Sequence, residues 1–198
     1  IKREKQPPYH MVAQRQLSQY GDRVYHISSL YVRDDYIWVV DFKNWQSGDR
    51  YWNARGQVVA FNKHDLSYTG LCYDLKDGEG RWVGWPEGIT WFDGSWWIVT
   101  TLDCMIYRFG PSWQHQATYQ VEGHGVRDNQ DWGDGWYGSG AVSGYQGIDW
   151  WASDGRTFFG LTIHRNADGK DPGFMYVFEY VKEMDDFLLL GPIPPSLS

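Results

Sequence analysis

The sequence is short of cysteine, of basic charge and of long apolar runs, and each shortage removes a class of protein. Only Cys72 and Cys104 occur in 198 residues, too few for a disulfide framework and wrongly spaced for a zinc site. They read as two buried thiols, with a single disulfide as the alternative. Lys and Arg number 18 against 25 Asp and Glu, a net charge of -7, so the chain has no general basic face with which to neutralise nucleic-acid phosphates. Its one basic run, Lys2, Arg3 and Lys5, lies in a polar stretch and reads as solvated linker. The longest apolar runs, such as Phe187 to Leu190, fall far below the ~20 residues of a membrane-spanning helix, and a soluble protein without membrane insertion is expected. No Asn-x-Ser/Thr acceptor occurs, so nothing supports a glycosylated form. The chain opens on Ile1 with no apolar leader behind it, which gives no signal peptide here and admits a piece of a longer parent.

What the chain has instead is aromatic: 13 Trp, 14 Tyr and 9 Phe, 18% of all residues, a content that goes with a packed core rather than disorder. The aromatics fall in a repeat. Gly88-Ile89-Thr90-Trp91 recurs as Gly147-Ile148-Asp149-Trp150, an offset of 59 residues, and each copy opens a short apolar run that ends in Asp-Gly. The same offset backward carries Asp93 onto Asp34, Trp97 onto Trp38 and Ile89 onto Leu30, so three units begin near residues 27, 88 and 147.

Each unit is rich in Val, Ile, Tyr, Trp and Thr in runs of strand length, and its periodicity is that of strands. The first two strands of a unit flank a tight turn: 27–32 and 36–41 around Asp34-Asp35, 89–92 and 96–101 around Asp93-Gly94, 148–152 and 157–163 around Asp154-Gly155. Asp-Gly supplies the positive φ that such hairpins require. A third strand follows and ends on Phe, at 58–61, 105–109 and 174–178, and a fourth completes each unit at 68–75, 117–121 and 187–191.

Four short antiparallel strands repeated every ~40–60 residues are the signature of a propeller blade. The segments "YIWVVDF...GQVVAFNKHDLSYTG" and "GITWFDGSWWIVTTLDCMIYRF" resemble blades of β-propeller proteins, with an inner strand, a DG turn, an hWhV second strand and an hhxF third strand. The resemblance spans residues 26 to 191 and implies architecture, not chemistry. The Gly-His and Trp-Asp pairs of the WD family are missing, and "SDGRTF" at Ser153 to Phe158 is one residue short of a sialidase Asp box. The expected fold is therefore all-β, three four-stranded antiparallel propeller-like blades at about 25–86, 87–144 and 145–191. An N-terminal arm or linker over 1–24 precedes them and a tail over 192–198 follows, where Pro192 to Pro195 end the last strand. Closed propellers carry roughly four to eight blades, so three imply self-association or a larger parent assembly.

In up-and-down blades the turns alternate between two ends. The tight ones, Asp93-Gly94, Asp154-Gly155 and residues 63–67, share one end; the long ones, 42–56, 74–87, 122–146 and 164–173, share the other. Long loops in compact domains usually carry function. The candidate ligand-binding face is Trp45, Arg50, Trp52, Trp82, Trp85, His124, Asp128, Asp131, Trp132, Asp134, Trp136 and Tyr137. Trp and Tyr beside Asp and Arg suit a sugar, whose apolar ring face stacks on an aromatic while its hydroxyls find polar groups, and equally suit a protein hot spot. Buried aromatics covering blade edges are the structural alternative.

Chemistry beyond binding finds little support. The string from Asp128 to Gly135 invites Ca²⁺, but counted from Asp128 the fifth position is Trp132 and no bidentate Glu follows at the right spacing. Calcium is kept as an alternative to no cofactor. The six His show no i, i+2 or i, i+4 pairing for a metal, and no Gly-x-Ser-x-Gly or phosphate loop occurs. The expected function is a non-catalytic recognition and assembly module binding a glycan or protein partner, with a virion or surface appendage as its home by analogy. The alternatives are a propeller-type glycoside hydrolase or lyase fragment using loop carboxylates, and a purely structural subunit.

Overall fold

The computed structural model describes residues 27–43, 55–101, 105–120, 142–166 and 174–193. They form twelve strands in three four-stranded antiparallel sheets, each an up-and-down meander. The first sheet holds β1 (Ile27–Arg33), β2 (Tyr36–Lys43), β3 (Arg55–Asn62) and β4 (Tyr68–Asp74). The second holds β5 (Pro86–Phe92), β6 (Ser95–Thr100), β7 (Met105–Phe109) and β8 (His115–Gln120). The third holds β9 (Val142–Ser153), β10 (Arg156–Asn166), β11 (Phe174–Val181) and β12 (Asp186–Ile193). Among the described residues no helix is long and apolar enough to cross a membrane.

The repeat read from the sequence is the repeat of the fold. Arg33 pairs with Tyr36, Phe92 with Ser95 and Ser153 with Arg156, so each first hairpin closes over two residues. In the second and third both turn residues have positive φ: Asp93 at 47° and Gly94 at 75°, Asp154 at 51° and Gly155 at 75°. That is the turn whose twist matches the strands it joins. In the first, Asp34 takes φ 56°. The strands overrun their expected ends mainly in the third sheet, where Val142 pairs with Asn166. Residues 142–146 and 164–166, read from sequence as loop, therefore extend the β9–β10 hairpin. Likewise β12 continues through Pro192, opposite Tyr176, on the edge of its sheet, where a missing N–H is tolerated.

The sheets stack in chain order, and the first strand of each packs over the first two strands of the sheet before it: β5 against β1 and β2, β9 against β5 and β6. This arrangement is consistent with propeller-like blades. Adjacent tryptophans of β6 point to opposite sides, as strand alternation demands, and each anchors one interface. Trp96 faces the first sheet, stacked on Trp113 at 4.8 Å and 11°, with Trp38 at 5.4 Å and Trp91 at 4.7 Å. Trp97 faces the third sheet, meeting Phe159 at 5.1 Å, Tyr180 at 5.3 Å and Tyr119 at 5.5 Å. The repeated tetrapeptide explains its own residues. Ile89 and Ile148 are buried in successive interfaces, and Trp150 Nε1 donates to the carbonyl of Trp91, its counterpart 59 residues earlier, at 2.9 Å.

A polar knot ties the second sheet to the third at the tight-turn end. Asp185 accepts from Arg108 Nη1 at 2.6 Å and Nη2 at 3.0 Å, from Tyr119 OH at 2.7 Å and from Tyr180 OH at 2.5 Å. Lys182 pairs with Asp93 at 2.6 Å beside it. Burial works against the Asp185 charge, but Arg108 and the two phenols outweigh it and bring the carboxyl down to about 2. A group whose pKa is depressed on folding stabilises above its unfolded value and loses that contribution as pH falls toward the folded one. Thermal melts should therefore show stability falling between about pH 4 and pH 2, by ~1 kcal/mol once the half-exposed position of Asp185 is discounted. Asp185→Asn should flatten that slope while lowering the melting temperature at pH 7; an unchanged slope would show that the knot does not set acid stability.

Candidate ligand groove

The connection from β4 to β5 is not a free loop. After β4 the chain doubles back: Leu75 N–H reaches Gly56 O at 2.9 Å, Val83 N–H reaches Leu75 O at 3.0 Å, and Gly56 N–H reaches Val83 O at 2.8 Å. Lys76 and Trp82 pair as an isolated bridge. The reversal is an aspartate turn. Asp77 Oδ1 accepts the N–H groups of Glu79 and Arg81, both at 2.9 Å, a local contact that Asp makes more readily than longer side chains. Arg81 closes the turn through Nε to Asp77 Oδ2 at 2.7 Å and Nη1 to Glu79 Oε2 at 2.9 Å. Burial opposes the Asp77 charge, but Arg81 and the turn's N–H groups hold the carboxyl below its ordinary value.

Between this turn and the outer strands of the second sheet lies a groove of about 490 Å³, lined by the 77–82 turn, Met105 and Tyr107 of β7, and His115 and Thr118 of β8. His115 Nε2 lies 2.8 Å from Thr118 Oγ1, and its ring meets the edges of Tyr107 at 6.3 Å and Phe109 at 5.8 Å. Trp82 is half-buried, with Lys76 Nζ 4.7 Å and Arg55 Cζ 5.2 Å from its ring. The groove offers the half-buried Trp82 ring, an imidazole, a hydroxyl and two carboxylates that share the Arg81 guanidinium, while the Tyr107 ring beneath is buried in the core. Those groups suit a neutral, polyhydroxylated ligand better than an ion. Among the described residues no three His, Cys, Asp or Glu side chains gather as a metal site requires.

Of the residues singled out from sequence, Trp82 lies in this groove. Trp85 does not: it is buried at φ 48° with its ring 5.1 Å from that of Phe42, and it serves the core. Trp45, Arg50, Trp52, His124, Asp128, Asp131, Trp132, Asp134, Trp136 and Tyr137 lie outside the described residues, as does Cys104. Cys72, expected buried, is exposed, with Sγ 3.3 Å from Gln57 Oε1. Tyr107, His115 and Thr118 were missed because strand alternation marks which side of a sheet a residue faces, not that a distant turn will roof it. Glu87, also missed, is the second residue of β5, two positions after Trp85. Burial pushes its carboxyl up to about 7, against a lowering hydrogen bond from the Trp85 side chain.

No protein-family model matches the chain, and no curated protein matches it at a significant level.

Proposed function

We propose that the chain is a propeller-type, non-catalytic recognition module whose described ligand site is the groove beneath the 77–82 turn, and that the ligand is a glycan. The observation that carries this is the placement of the half-buried Trp82 ring in one groove with His115 and Thr118: a pyranose has an apolar ring face for the first and hydroxyls for the other two. A rigid setting supports the reading, because the turn is fixed by its own hydrogen bonds and orders nothing further on binding. The test is binding of the chain to a glycan array, followed by calorimetric titration of the best sugar. Trp82→Ala should weaken it by tenfold or more, the ~2 kcal/mol of a hot-spot aromatic, with the fold intact by circular dichroism. Unchanged affinity would remove the groove from consideration.

A propeller-type glycoside hydrolase is a second reading. It draws on Glu87, whose carboxyl is pushed up to about 7 by burial, the direction a general acid requires. Turnover that disappears in Glu87→Gln while surviving in Trp82→Ala would favour it.

A further inference from the structure

The two end faces of the stack are unfinished in the same place. The hairpin ends Arg33, Phe92 and Ser153 align the three sheets, which makes Leu30 equivalent to Ile89 and the cross-strand pairs Tyr31–Trp38, Thr90–Trp97 and Trp151–Phe158 equivalent to one another. Ile89 is 3% exposed, covered by the sheet before it, whereas Leu30 is 56% exposed and Val32 beside it 55%. Val39 and Val59 on the same face are already buried, so what is missing is cover over the first strand. At the other end Trp151 and Phe158, ring centroids 5.7 Å apart, occupy the positions that Thr90 and Trp97 hold in the second sheet. Thr90 and Trp97 are both buried, whereas Trp151 is 39% exposed.

We propose that these faces cover each other: β1 of one copy packs over β9 and β10 of a second copy, and the reciprocal contact closes a ring of six sheets. Both internal interfaces use this geometry, first strand over first two strands, and the new one continues it. Leu30 then packs against Phe158 as Ile89 packs in one cluster with Trp38, and Val32 meets Trp151. Charge is complementary as well. The internal contact between Lys182 and Asp93 at 2.6 Å has its equivalents in Lys63, in the β3–β4 turn, and Asp154, in the β9–β10 turn. Lys63 lies against Asp35 at 3.0 Å within one chain and is placed to reach Asp154 of the second. Six sheets fall within the roughly four to eight of closed propellers, and two identical heterologous contacts satisfy a two-fold axis. The proposal does not rest on the glycan reading.

Light scattering of the chain across a wide concentration range should give a discrete species of about twice the 23.1 kDa of one chain. Leu30→Asp and Trp151→Asp should each return it to one chain's mass, with Val32→Glu as a second variant of the same strand should the first fail to fold. Mixing the two variants should restore a dimer, because one intact contact remains between them. Lys63→Asp should weaken association and Lys63→Asp with Asp154→Lys should restore it. A wild-type chain that stays monomeric overturns the proposal. So does a Leu30→Asp chain that still dimerises, which would place the third sheets against each other.

Discussion

Replacing Trp96 with Ala should destabilise the chain by about 3–5 kcal/mol, the cost of emptying a large aromatic site that cannot collapse. Trp96 is fully buried, and the rings of Trp38, Trp91, Trp113 and Tyr31 all lie within 6 Å of its own. No single neighbour can move into the space without leaving its own partners. Marginal domains have only about 5–15 kcal/mol in total, so urea denaturation should show a large drop in midpoint or no cooperative transition. Trp96→Phe should cost much less. It keeps a ring against Trp113, and among the described residues no acceptor reaches the buried Nε1 that it removes. A Trp96→Ala chain within 1 kcal/mol of wild type would show that the tryptophan cluster does not hold the first and second sheets together.

The second large effect is expected at Gly88. A Cβ there would stand 2.8 Å from Gly147 Cα and 2.9 Å from Ile148 N, both backbone atoms of the neighbouring sheet. Backbone in a paired strand does not give way as a side-chain tip does, so Gly88→Ala forces the third sheet outward and opens the core around Trp97 and Phe159. The cost should reach about 3 kcal/mol, the upper range for overpacking. Gly147→Ala is the control, because its Cβ meets only Thr162 Oγ1 at 2.8 Å, a side chain that can rotate away. Equal losses for the two, measured by denaturation under one condition, would count against sheet separation as the cause.

The same two glycines show what could be read in advance. Their recurrence in Gly-Ile-x-Trp marked the repeat, and the aspartates at 34, 93 and 154 marked the hairpins, because positive φ and close approach restrict residue choice locally. All twelve strands follow from such local signals. What sequence left unread depends on distance. Trp85 looked like a loop aromatic, and only the return of the 75–85 connection onto β3 buries it. The groove needs the Asp77 turn and β7–β8, about 30 residues later, to meet, and no spacing records that. The length of β9 was hidden because Gly144 and Gly147 weaken the strand pattern that pairing with β10 nonetheless imposes.

Every described strand pairs only with its neighbours in sequence among the described strands, and this bears on how the chain reaches its fold. Each sheet can assemble from successive hairpins without waiting for a distant segment, so little loop entropy is lost before contacts form. For an all-β chain the ladder is unusually local, and folding should be quicker than for sandwiches whose strands cross between sheets. The slow step is then the docking of finished sheets, which requires Trp96 and Trp97 to be seated on opposite sides at once. Nearest-neighbour coupling of this kind lets folding start in any sheet and spread, yet the second sheet belongs to both interfaces. Its formation is what makes three local events a single cooperative one.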